Sequence, residues 1–94
     1  MKVRLIILLP GMIEAIGSKE VGVEFVGKTI NDLIKHLVAL HGKKASKALH
    51  DKDGELDPLI QILLNGEKWI PHDQLDTVLQ DGDFLMFAMM MAGG

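Results

Sequence analysis

The chain is 94 residues long, 48% hydrophobic, carries a formal net charge of -3 and contains no cysteine. It has enough apolar material for one small core and too little length for two ordinary domains, while the lack of cysteine excludes disulfides, thiolate metal sites, iron–sulfur ligation and a cysteine nucleophile. Mild acidity without a long basic run gives no electrostatic footprint for nucleic acid or an anionic membrane.

The run Leu5-Ile6-Ile7-Leu8-Leu9 after Lys2 and Arg4 is shorter than a secretory h-region. Pro10-Gly11 stops it early, so Lys2 to Leu9 reads as a buried strand. No stretch approaches the roughly 20 apolar residues of a membrane helix, and a cytoplasmic protein is expected. Met12 to Gly17 reads as a loop or a single helical turn. Glu20 to Val26 alternates, with Val21, Val23 and Phe25 on one side, as in a half-buried strand that pairs with the first as a hairpin.

Thr29 and Asp32 form a capping-box pattern, after which Ile30, Leu33, Ile34, Leu37 and Val38 recur at helical spacing. Gly42 stands where a left-handed C-cap residue usually sits, and Lys43 to His50 predicts a second short helix over one end of the core. Asp51 to Gly54 reads as a turn. Leu59 to Leu64 is a third strand running into Asn65-Gly66, a strong hairpin signal, with Glu67 to Ile70 returning. Leu75 to Leu79 predicts a turn or helical piece, and Asp81-Gly82-Asp83 introduces a last strand from Phe84 to about Met90. The expected fold class is α+β: a mixed sheet of four to five strands packed against one main helix. The domain spans 1–90, with 91–94 a flexible tail ending in Gly-Gly.

The four histidines, His36, His41, His50 and His72, lack the i,i+4 spacing of a helical zinc site, so solvated or locally hydrogen-bonded roles are expected and no metal site is assigned. Asp51, Asp53, Glu55 and Asp57 miss the glycine and glutamate positions of a calcium loop. Lys43, Lys44 and Lys47 read as a solvated helical face. Trp69 reads as a partly buried core or rim residue.

The strand hairpin, amphipathic helix, Asn65-Gly66 turn, Asp81-Gly82-Asp83 and terminal Ala92-Gly93-Gly94 together resemble the MoaD/ThiS family of β-grasp, ubiquitin-like sulfur carriers. The likeness covers essentially the whole chain. It is nearer to the small subunit of molybdopterin synthase, because the thiamine carrier is usually shorter where this chain has Gly42 to Pro58. Many members carry prolines before the terminal segment, where this chain has Met89-Met90-Met91.

The resemblance implies that an ATP-using, ubiquitin-activating-like adenylyltransferase forms an acyl adenylate at Gly94, which a sulfur donor converts to a thiocarboxylate. No cofactor is bound permanently. Gly93 and Gly94 lack Cβ atoms and so admit the close approach a narrow active-site channel requires. Extended, Met90 to Gly94 would reach roughly 15 Å beyond the domain. The implied acceptor is a molybdopterin synthase large subunit, to which the chain supplies sulfur without acting as an enzyme on its own. Ile6, Leu63, Met86 and Ala88 match the docking face of the family, and Met89, Met90, Met91 and Ala92 lead from it to the diglycine. Carriage to thiamine, a tungsten cofactor or another acceptor, conjugation to lysines, and a plain interaction module are the alternatives.

Overall fold

The computed structural model describes residues 1–90. Five strands form one mixed sheet, β1 (Lys2–Ile7), β2 (Glu20–Glu24), β3 (Ile60–Leu64), β4 (Lys68–Trp69) and β5 (Phe84–Met89), in the order β2-β1-β5-β3-β4. The central pair β1 and β5 is parallel, and the other neighbours are antiparallel. This is the β-grasp fold expected from the sequence. Helices α1 (Pro10–Ile16), α2 (Ile30–His41) and α3 (Lys43–Leu49) complete it.

Alternation decides which face of the sheet is covered. Val3, Leu5 and Ile7 of β1, Ile60 and Ile62 of β3, and Leu85 and Phe87 of β5 are buried in one cluster with Ile30, Leu33, Ile34 and Leu37 of α2. No polar or charged residue among the described residues is buried.

The N-terminus of α2 is fully accounted for. Thr29 and Asp32 form the reciprocal capping box, with the Thr29 amide donating to Asp32 Oδ2 (3.1 Å) and the Asp32 amide to Thr29 Oγ1 (3.1 Å). The two intervening amides, on Ile30 and Asn31, donate to the carbonyls of Thr77 and Leu75. A helix begins with unsatisfied donors, and here the chain around Leu75 to Leu79 supplies what the capping box does not. Of the turn or helical piece expected there, residues 75–76 form a turn, and the 3-10 helix lies earlier, at His72–Gln74. The Asp32 carboxyl is held below its ordinary pKa, mainly by the backbone amides of Lys28 and Thr29. Gly27 precedes them at φ 150, where a Cβ would stand 2.6 Å from Asp32 Cβ.

Four further expectations are corrected. The first strand ends at Ile7 instead of Leu9, and the segment from Met12 to Gly17, expected as a loop or a single helical turn, belongs to the seven-residue helix α1, with Pro10 in its first turn and Gly17 as a left-handed C-cap. Proline there acts as a helix starter as well as a strand stop, since its missing amide would have had no partner in any case. Gly42 has a positive φ of 69 but ψ of -144, because it ends α2 and begins α3 at once. The fourth strand shrinks to two residues.

The hairpin turn holds the main register surprise. Asn65 and Gly66 both have positive φ, 55 and 71, as a primed turn requires. A two-residue connection would pair Leu64 with Glu67. The ladder instead pairs Leu64 with Lys68 and Leu63 with Trp69, so Glu67 is an extra, bulged residue. A shift of one residue exchanges the faces of a strand. Ile70 is thereby buried and Trp69 is turned outward, 56% exposed.

Candidate functional site

The face of the sheet away from α2 carries a continuous apolar row. The registers set Ile6 beside Met86, Met86 beside Leu63, and Leu63 beside Trp69, so one line crosses β1, β5, β3 and β4. A second line lies nearer the chain end, with Ala88 opposite Gln61 and Met90 held by its amide on the Leu59 carbonyl at 2.7 Å. Leu8 and Leu59 are exposed near it, and Phe84 lies on the same face at the other end of β5. Contiguous apolar surface on a small chain marks an interaction site.

Of the residues expected from the sequence, Ile6, Leu63, Met86 and Ala88 do share this outer face. Met90 follows them. Met89 has the opposite parity and pairs with buried Ile60. Met91, Ala92, Gly93 and Gly94 lie outside the described residues. Trp69, Phe84 and Leu59 were not anticipated as part of the face, whereas Leu8 follows from alternation with Ile6. Alternation from Met86 and Leu63 would have found Phe84 and Leu59, whereas Trp69 depended on the bulge at Glu67.

The alignment of β5 is set at its start by two turns that are 16 residues apart but mated in space. Asn65 Nδ2 donates to Asp83 Oδ1 (3.1 Å), and Asn65 Oδ1 accepts from the Phe84 amide (2.9 Å). Asp83 Oδ2 accepts from the Gln80 amide (2.8 Å), while Asp81 Oδ1 accepts from the amide of Lys2 (2.8 Å). The hairpin, the Asp81–Asp83 turn and β1 are thus tied to the strand that leads to the chain end. Arg4 and Glu20 form an ion pair at the border of the outer face; both are well exposed, which limits its worth to about 0–1 kcal/mol.

The histidines are dispersed. His72 Nε2 lies 2.7 Å from the Ile60 carbonyl, His50 Nδ1 lies 3.4 Å from Ser46 Oγ, and the His36 ring is tilted against Phe25 at 6.1 Å. Among the described residues no three His, Asp or Glu side chains gather as metal ligands, and no helix is long and apolar enough to cross a membrane.

A protein-family model described as Urm1 (Ubiquitin related modifier) matches residues 8–94. The chain belongs to the Urm1 family. It is 38% identical over 66 residues to a candidate sulfur carrier of Archaeoglobus fulgidus, covering 70% of this chain and 74% of that protein. It is 30% identical over 67 residues to ubiquitin-related modifier 1 of Saccharomyces cerevisiae, covering 70% and 68%. The crystal structure of SAMP1 from Haloferax volcanii superposes over 100% of both chains with a TM-score of 0.78 at 27% identity. The Urm1 kinship places the chain among ubiquitin-like sulfur carriers and modifiers, as its sequence led us to expect.

Proposed function

We infer that this Urm1-family chain is a sulfur carrier whose terminal glycine, Gly94, is adenylated by a ubiquitin-activating-like adenylyltransferase at the expense of ATP. A sulfur donor then displaces AMP and leaves a thiocarboxylate on Gly94. An α-carboxylate is an anion at neutral pH and a poor electrophile, so the adenylate is what makes the carbonyl reactive. The observation that carries this reading is the apolar row Ile6–Met86–Leu63–Trp69 on β5 and its neighbours, on the strand that runs toward the diglycine. A partner gripping that row would hold the body of the domain while its own active site receives the terminus.

The acceptor we propose is a molybdopterin synthase-type large subunit, which would use the sulfur to build a dithiolene. The segment 42–58, folded here as α3 and a turn, supports that choice over a thiamine carrier. Sequence likeness to proteins named as modifiers favours a second reading, in which activated Gly94 is joined to lysines as an isopeptide. One experiment separates them. Cells carrying the chain are scored for molybdenum-enzyme activity and for branched remnants of the chain's C-terminal peptide on lysines of other proteins, which trypsin would leave as the segment after Lys68. Carriage to molybdopterin predicts lost enzyme activity on deletion of Gly94 and no remnants; remnants with normal enzyme activity would support conjugation instead.

A further inference from the structure

We propose that the free edge of β2, with the groove between it and α2, is a second docking site, which takes an extended peptide as an added antiparallel strand. β2 is an outer strand of the sheet, and the opposite edge, β4, is only two residues long. The amide of Phe25 bonds to Met1 and the Lys19 carbonyl to Ile7. In an antiparallel ladder this phase directs the main-chain groups of Val21 and Val23 to β1 and those of Glu20, Gly22 and Glu24 away from it.

At Glu20 the outward groups are already taken: the Ser18 hydroxyl donates to its carbonyl (2.8 Å) and accepts from its amide (3.3 Å). Gly22 and Glu24 keep theirs turned to solvent, two donors and two acceptors at the spacing of one added strand. On the helix side, Ile16, Val21, Val23, His36, Leu40 and His41 line an open groove of about 210 Å³, and Leu40 is 64% exposed. On the other side, Glu24 has no ion-pair partner among the described residues, in contrast to Glu20.

These features specify the occupant. Opposite Val23 and Val21 the added strand presents two side chains to the groove, which should be apolar. Opposite Glu24 its side chain shares the outer face with an unpaired carboxylate and should be cationic. A Cβ built at Gly22 would meet nothing within 4 Å, and with no side chain at Gly22 itself the residue opposite it is free in size. Read from its N-terminus, the peptide is basic, apolar, any, apolar. A second copy of β2 suits the edge less well, because full antiparallel overlap about Gly22 would set Glu24 opposite Glu20 of the other copy.

The test is amide hydrogen exchange and NMR on the full chain with a synthetic peptide centred on Arg-Val-Ser-Ile. We expect exchange at Gly22 and Glu24 to slow by about tenfold or more near saturation. Glu24→Pro should abolish the slowing at Gly22, the position that still carries an amide hydrogen, while keeping the fold, since proline is tolerated where a strand amide faces solvent. Glu24→Lys should weaken binding about two- to fivefold, as expected for an exposed pair, and a peptide with Glu for Arg should restore it. Three results would overturn the proposal: no slowing at Gly22 and Glu24, perturbation confined to the Ile6–Trp69 face, or the same slowing produced by protein concentration alone. Should Glu24→Pro fail to fold, the charge exchange decides: equal binding by both peptides to both proteins would also overturn it.

Discussion

Asn65 joins the hairpin to the strand that leads to Gly94, so its replacement is a direct probe of how that strand is set. Asn65→Gly removes the bonds to Asp83 and Phe84 but accepts a φ of 55 without strain. Two exposed side-chain bonds at the lower end of about 0.5–1.5 kcal/mol each give a loss of roughly 1 kcal/mol. Asn65→Ala removes the same bonds and keeps the Cβ that Asn65→Gly discards, whose left-handed cost is about 1–2 kcal/mol where no local side-chain hydrogen bond offsets it, so the alanine variant should be less stable than the glycine variant by up to that amount. At about 4–8 °C per kcal/mol for a domain of this size, thermal unfolding separates the two variants readily. Asn65→Asp keeps the acceptor for Phe84 but sets a second carboxylate against Asp83. The two like charges repel, so this variant should be less stable than the parent near neutral pH. Equal stability of Asn65→Gly and the parent would refute the lock, and equal loss in the glycine and alanine variants would refute the backbone part of the argument.

Met86→Glu should slow activation by the adenylyltransferase by about tenfold or more, as at a desolvated hot spot, while urea unfolding shifts by less than about 1 kcal/mol because the side chain faces away from the core; normal activation would remove the outer face from the account. Leu33→Ala, in contrast, should cost about 2–5 kcal/mol by opening a cavity beneath α2, read as a shift in the urea midpoint. Asp32→Asn should lower stability near neutral pH and lose that difference in acid. The folded pKa of Asp32 is depressed, so its contribution is present above the unfolded value and disappears as pH falls through the depressed one; a pH-independent gap in urea midpoints would contradict this.

The elements governed by local rules were legible in the sequence. Thr29 and Asp32 announced α2, the spacing of Ile30, Leu33, Ile34 and Leu37 gave its buried face, and alternation from Glu20 to Val26 set Val21, Val23 and Phe25 against the core. What escaped depended on contacts between distant segments. Nothing near Leu75 shows that its carbonyl will serve the amide of Asn31, and Asn65 and Asp83 are each ordinary turn residues until the fold brings them to 3.1 Å. Trp69 was missed for a subtler reason. One bulged residue, Glu67, reverses the face of everything after it, and composition near a turn does not encode that count. Pro10 was read only as a stop because strand ends and helix starts favour the same residue. For the docking face, Ile6, Leu63, Met86 and Ala88 followed from the family likeness, and the strand registers supplied its extension to Trp69.

Incubation of the purified chain with its adenylyltransferase, ATP and a sulfur donor, followed by fragmentation of the intact protein, addresses the chemistry itself. Exchange of oxygen for sulfur adds nearly the same mass as oxidation of one of the six methionines, so position along the chain, confirmed by alkylation, is the informative quantity. Sulfur located on Gly94, and only when ATP is present, is the predicted result. An unaltered Gly94 carboxyl under conditions that keep the adenylyltransferase active would contradict the carrier account.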